Sequence, residues 1–256
     1  MFSLCIPTLN RFDEYLKINL PKYLDNKLID EIIISDENGN DINKIKKIIG
    51  NHPKIKFNIN TKIEGPFMNK ITACKLAKNE WVALIDSDNF ADYEYFSKMS
   101  EFINNNRLLK TTILSPDHGS DVFNWNYLSN KDNLLNKETY NKIKKIDNDY
   151  KSSRVNVGCL SHLMNIGNFV LNKYVIDNID LNNYKEIIPK SFSFDVVLFL
   201  LICFEQLDLN FYLVNNCKYI HTFSNDSIYH KYAEQCKKNA KITYDKLWLV
   251  LSNNII

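Results

Sequence analysis

Glycine is scarce in this chain of 256 residues, with only six. None lies in the loop candidate Pro7-Thr8-Leu9-Asn10-Arg11, so the glycine-rich phosphate loop that nucleotidyl transfer uses is missing there. Cysteine is equally sparse. Cys5, Cys74, Cys159, Cys203, Cys217 and Cys236 are scattered, with no C-x-x-C pair. A structural zinc site wants tighter ligand clusters, so buried free thiols in a reducing compartment are expected. No apolar run approaches the ~20 residues of a membrane span; the longest, residues 196–204, lies between Asp195 and Glu205. The formal net charge is only +2, which gives no reason to expect nucleic acid as a partner. Met1-Phe2-Ser3-Leu4 lacks the charged start of a signal peptide and meets Pro7 early. A soluble, cytoplasmic protein is the expectation, without repeats or low-complexity tracts.

What is present is an ordinary globular balance, 45% hydrophobic and 24% charged, long enough for one sizeable domain. Short β-branched runs alternate with helix-period stretches through the first half, the pattern of βαβ units on a mostly parallel sheet. Strands are predicted at residues 3–8, 31–35, 54–59, 81–85 and 111–114. Helices are predicted between them: 13–23, bent or ended by Pro21; one from Asp41 with Ile42, Ile45, Ile48 and Ile49 on one face; 66–78, opened by Pro66; and 93–104. Residues 117–153 are more polar, with a helix near 137–146. A strand (168–172), an apolar helix (194–206), two short strands (210–214, 218–221) and a helix from about Asp226 complete the reading. The expected organisation is one α/β domain over 1–256. It has a nucleotide-binding half (1–115), an acceptor half (116–225) and a C-terminal helix (226–256).

The strongest chemical signal is Asp86-Ser87-Asp88 directly after the strand Trp81-Val82-Ala83-Leu84-Ile85. Ligands of open α/β sheets bind beyond the carboxyl ends of the strands. Two carboxylates there can share a Mg²⁺ or Mn²⁺ whose other ligands are diphosphate oxygens. A solvated acidic turn is the plainer alternative for D-x-D alone; its place after a buried strand weighs against that.

At these residues the chain resembles the GT-A glycosyltransferases, especially the large inverting family 2, in register over residues 3–96 and more loosely to His221. Ser3-Leu4-Cys5-Ile6-Pro7-Thr8-Leu9-Asn10-Arg11 is similar to that family's first strand and nucleotide-wrapping loop. Glu31-Ile32-Ile33-Ile34-Ser35-Asp36-Glu37 is similar to its second strand, ending in the acidic pair that reads the base. Lys70, after Gly65-Pro66, stands where the family carries an arginine; it keeps the charge but not the bidentate fork. The resemblance implies a nucleoside-diphosphate sugar donor, with a UDP-sugar the first expectation, and a glycan, glycolipid or glycoprotein acceptor. Pro7, Thr8, Asn10, Arg11, Asp36, Glu37, Lys70 and Ser87 would bind the nucleotide. Asp86 and Asp88 would hold the Mn²⁺ or Mg²⁺, and the late histidine, His221, would complete the metal shell.

Inverting transfer needs a carboxylate to take the acceptor's proton. Asp195, before the apolar run in Ser193-Phe194-Asp195-Val196, is the candidate, with helix capping as its structural alternative. Gly167, in Asn165-Ile166-Gly167-Asn168, would let backbone approach the donor sugar closely. Phe123, Trp125 and Tyr127 offer stacking faces for sugars, and His118 is read as a loop residue. Lys231, Lys237, Lys238, Lys241 and Lys246 allow weak association of the last helix with an anionic membrane surface. A solvated helix packing Trp248 and Leu249 on the domain is the simpler reading. A retaining transferase and a catalytically degenerate sugar-nucleotide or glycan-binding protein are the alternatives to the inverting enzyme.

Overall fold

The computed structural model describes residues 1–120, 123–153, 159–222 and 228–252. Among the described residues nine strands form one mixed sheet: β1 (Phe2–Thr8), β2 (Ile29–Asp36), β3 (Ile55–Ile59), β4 (Trp81–Leu84), β5 (Thr112–Gly119), β6 (Phe123–Asn124), β7 (Leu134–Leu135), β8 (Phe169–Asn172) and β9 (Asn210–Tyr219). The order is β3-β2-β1-β4-β8-β5-β9-β7, with β6 on β5. The described helices are α1 (Lys17–Asp25), α2 (Asn40–Ile48), α3 (Pro66–Lys75), α4 (Tyr93–Asn105), α5 (Asn126–Ser129), α6 (Tyr140–Ser153), α7 (Leu160–Leu163), α8 (Lys173–Asp177), α9 (Asp195–Gln206) and α10 (Ile228–Leu251).

The first four strands run parallel, β2 and β4 flanking β1 and β3 beside β2. Every residue of β1 is buried, which is why it reads as a largely apolar run broken only by Ser3 and ending at Thr8: helices cover both faces of a parallel sheet. β8 then enters antiparallel to both β4 and β5, joining the halves through continuous backbone hydrogen bonding. α9 is apolar all round because residues 195–204 are all buried.

Several local readings change. The helix at 13–23 begins with a widened π turn, Phe12–Leu16, and α1 continues through Pro21 to Asp25. Ile48 is 60% exposed, so the buried face of α2 is Ile42 and Ile45. The fifth strand extends to Gly119 and takes His118 out of the predicted loop. The two short strands predicted over 210–221 are one strand, β9, which Asn216 bends with a φ of 55°. The predicted helix at 137–146 runs from Tyr140 to Ser153. α10 begins at Ile228, and Asp226 lies outside the described residues. Trp248 stacks on Tyr140 and Tyr244, whereas Leu249 is 47% exposed rather than packed on the domain. Cys159 is half-buried and the other five cysteines are buried, all of them free thiols. Among the described residues no helix is long and apolar enough to cross a membrane.

Candidate active site

The carboxyl ends of β1, β2 and β4 open into a cleft of about 460 Å³. Pro7, Thr8, Leu9 and Arg11 line one side, Glu37 and Gly65 the next, and Lys70, Asp86, Ser87 and Asp88 the floor. Asp195 and His221 close it from the second half, with Phe123, His162, Asn165 and Tyr244 beyond them.

The loop after β1 is built around a residue the sequence reading passed over. Asp41, fully buried at the start of α2, accepts hydrogen bonds from the backbone N–H groups of Arg11 (2.9 Å) and Phe12 (3.0 Å) and from the Thr8 hydroxyl. Thr8 therefore shapes the loop through its side chain. Asp36 is equally structural: its two oxygens accept from Asn38 N–H (3.2 Å) and Ile42 N–H (3.0 Å), fixing the turn into α2. It is fully buried and does not line the cleft. Asn10, with a φ of 56°, binds the side-chain amides of Asn38 and Asn40 and likewise stays outside the cleft lining. Glu37 does face the cleft, and its carboxylate accepts from the Glu64 and Gly65 N–H groups at the approach to α3. Burial lifts its pKa above the ordinary carboxylate value, with those two N–H groups working against the rise.

The acidic turn follows β4 because Ile85 N–H still bonds to the Cys5 carbonyl (3.0 Å), after which Asp86 N–H is taken by the Asn168 side chain (3.0 Å). Phe90 and Ile220 exchange backbone bonds of 3.0 and 2.7 Å. Asn89 accepts from Thr222 N–H at 3.0 Å. This stitching carries His221 to the acidic turn from far along the chain. Burial lowers the His221 imidazole, with Asp86 pulling the other way. Asp88 is pushed up to about 6, chiefly by burial and then by the Asp86 charge, while Arg11 opposes the rise.

Lys70 projects from α3 between two carboxylates. Its Nζ lies 3.0 Å from Asp86 Oδ1 and 2.9 Å from Asp195 Oδ2. Burial works to lower the pKa of the ammonium, but Asp195 and Asp86 together outweigh it and raise that pKa. Asp195 is the first residue of α9 rather than its cap, and Phe194, which precedes it, makes no side-chain capping bond. Burial lifts the Asp195 carboxyl above its ordinary value and Lys70 opposes this. The approach angle of the ammonium leaves the buried Asp195 Oδ2 in ion-pair range without a hydrogen bond. Gly167 serves Lys70: a Cβ there would sit 3.1 Å from Lys70 Nζ and 3.3 Å from Asp86 Oδ2.

The aromatic candidates separate. Phe123 lines the cleft and meets His221 edge-on at 5.2 Å. Trp125 is fully buried behind it, stacked on Phe123 and bonded to the Cys159 carbonyl. Tyr127 turns away, donating to Asp147 (2.7 Å) and stacking on Tyr150. His118 is held by Asp117 at 2.6 Å outside the cleft lining. Sequence reasoning missed Asp41, His162 and Tyr244, the last donating to the Ser161 carbonyl at 3.0 Å. No local motif marks them, since their places depend on long-range packing.

No curated protein matches the chain. Among solved structures, residues 1–349 of S. aureus TarS in complex with UDP are similar, with a TM-score of 0.58 at 14% identity, covering 94% of this chain and 64% of that one. The complex of the same protein with UDP-GlcNAc gives 0.59 at 15% identity, covering 96% and 70%. The longer TarS structure gives 0.60 at 14% identity, with 96% of this chain covering 42% of that one. The chain thus spans less than two thirds of the first of these structures. Their shared architecture is the GT-A fold. The model of "Glycosyl transferase family 2" matches residues 3–167, from the first strand through the acidic turn to the glycine beneath Lys70. With more than half its length inside that match, the chain belongs to glycosyl transferase family 2.

Proposed function

We propose that this protein transfers a sugar from a UDP-sugar to an acceptor hydroxyl on a glycan, glycolipid or glycoprotein, inverting the anomeric carbon with the assistance of a divalent cation. The observation that carries this reading is the single cleft that gathers Arg11, Glu37, the acidic turn and Asp195 at the strand ends. The TarS structures holding UDP and UDP-GlcNAc on the same fold support a uridine nucleotide.

Arg11 and the backbone of the Pro7–Leu9 loop face the position of a diphosphate, and Glu37 faces the base. Asp86, Asp88 and His221 supply hard oxygen and imidazole donors suited to Mn²⁺ or Mg²⁺. Among the described residues no three such side chains form a cage by themselves, so the cation would draw further ligands from the diphosphate. A bound cation would neutralise charge growing on the departing diphosphate. Asp195 takes the proton of the acceptor hydroxyl as that oxygen bonds to the anomeric carbon and the carbon–phosphate-oxygen bond breaks, its electron pair leaving with UDP. Burial raises the basicity of Asp195, as the task of a general base requires.

The test is thermal stability with UDP, GDP, CDP and dTDP, each with and without Mn²⁺. A ligand at 100 times its Kd stabilises by about 2.7 kcal/mol. The expected result is a Mn²⁺-dependent rise with UDP that Asp88→Ala abolishes. No rise with any nucleotide would sink the reading. The anomeric configuration of the product, read by NMR, separates inversion from retention.

A further inference from the structure

Lys70 makes contacts that a simple phosphate ligand would not need. Its ammonium is buried, its side chain being 13% exposed, and both carboxylates reach it from different elements. Asp86 follows β4 in the nucleotide half; Asp195 opens α9 in the second half. Without a cation between them the two charges would repel across a poorly solvated gap. Gly167, on the loop before β8, leaves the space the ammonium occupies, since a Cβ there would crowd Nζ, Asp86 and Val196 Cγ2 at 3.1–3.3 Å. A compact ammonium suits that gap, whereas a planar guanidinium demands more room.

We infer that Lys70 is a positioning residue for the general base: it ties Asp195 to Asp86, so that the proton acceptor is held in fixed register with the donor. This inference rests on the reading of Asp195 as base. It assigns Lys70 to the base rather than to the diphosphate. The Lys70 ammonium, 2.9 Å from the buried Asp195 Oδ2, holds that oxygen in place. The second oxygen is then left to meet the acceptor hydroxyl.

The two roles separate by experiment. Lys70→Met keeps the length of the side chain and removes its charge. With UDP and Mn²⁺ as probes, calorimetry should give a Kd within about threefold of the unaltered protein. Turnover, measured as UDP release from UDP-GlcNAc or the donor identified by nucleotide screening, should fall by about two orders of magnitude. Lys70→Arg should recover part of that loss, because the charge returns. A tenfold or greater weakening of UDP binding with turnover preserved at saturation would overturn the inference and return Lys70 to the phosphates. A second measurement does not depend on turnover. The Tm losses of Lys70→Met and Asp195→Asn should not add in the double variant, because both changes break the same ion pair. Additive losses would overturn the inference even while nucleotide binding, and with it the transferase reading, stands. Absence of nucleotide binding in the unaltered protein, with the Tm coupling present, would instead strike the transferase reading and with it the base that Lys70 positions, leaving the Lys70–Asp195 ion pair as a structural contact.

Discussion

Asp88 carries its charge at a cost to the fold. Its carboxyl is held at about 6 by burial and by Asp86, so its folded state binds a proton more tightly than the unfolded chain does. Between about pH 4 and 6 the folded protein therefore retains a proton that the unfolded chain has lost, and stability falls as pH rises through that window. At neutral pH the penalty is on the order of 3 kcal/mol. Asp88→Asn should raise the Tm at pH 7.5 by several degrees and leave it nearly unchanged at pH 3.5; equal gains at both values would contradict this origin. The acidic turn was legible from sequence as two carboxylates, one and three positions past Ile85, directly after a buried strand. Asp36 and Glu37 were legible only as a pair. One caps a turn and the other faces the cleft, a division set by the local path of the backbone. Lys70 was found as a charge, but its partners were not, since Asp195 and Gly167 lie far along the chain.

At the scale of elements, the loop between β1 and α1 depends on a helix that follows a different strand. Asp41 at the start of α2 satisfies two backbone N–H groups and the Thr8 hydroxyl. Asp41→Ala leaves those donors buried and unpaired, a loss of roughly 2–4 kcal/mol. The Tm should fall by about 5–15 °C, and UDP should bind more weakly because Arg11 loses its support. A stable variant with unchanged UDP affinity would remove Asp41 from the site. The parallel strands and their helices were legible because apolar runs and helix-period stretches alternate there. β8 was legible as a strand but not as the partner of β4 and β5: four buried residues give no local clue to pairing or direction. β9 read as two strands because the polar Asn215-Asn216 step interrupts its apolar pattern; the backbone bulges there, and the register with β5 shifts before pairing resumes at Lys218.

At the scale of the molecule, β8 makes the halves interdependent. It supplies the only described pairing that joins β4 to the strands of the second half. A fragment ending at residue 115 would carry β5 without β8 and leave β4 unpaired on one side. Such a fragment should not unfold cooperatively by circular dichroism, while the full chain should show one transition that UDP moves as a whole. A cooperative, UDP-binding fragment would refute that dependence. The same insertion has a bearing on biosynthesis. When β4 leaves the ribosome, its open edge must wait for a strand some 85 residues downstream. At 5–20 residues per second that delay is roughly 4–17 s, during which the nascent chain exposes an apolar strand edge. Slow translation through residues 85–168 would lengthen this interval, making the yield of folded protein sensitive to codon choice in that stretch and to chaperones that shield strand edges.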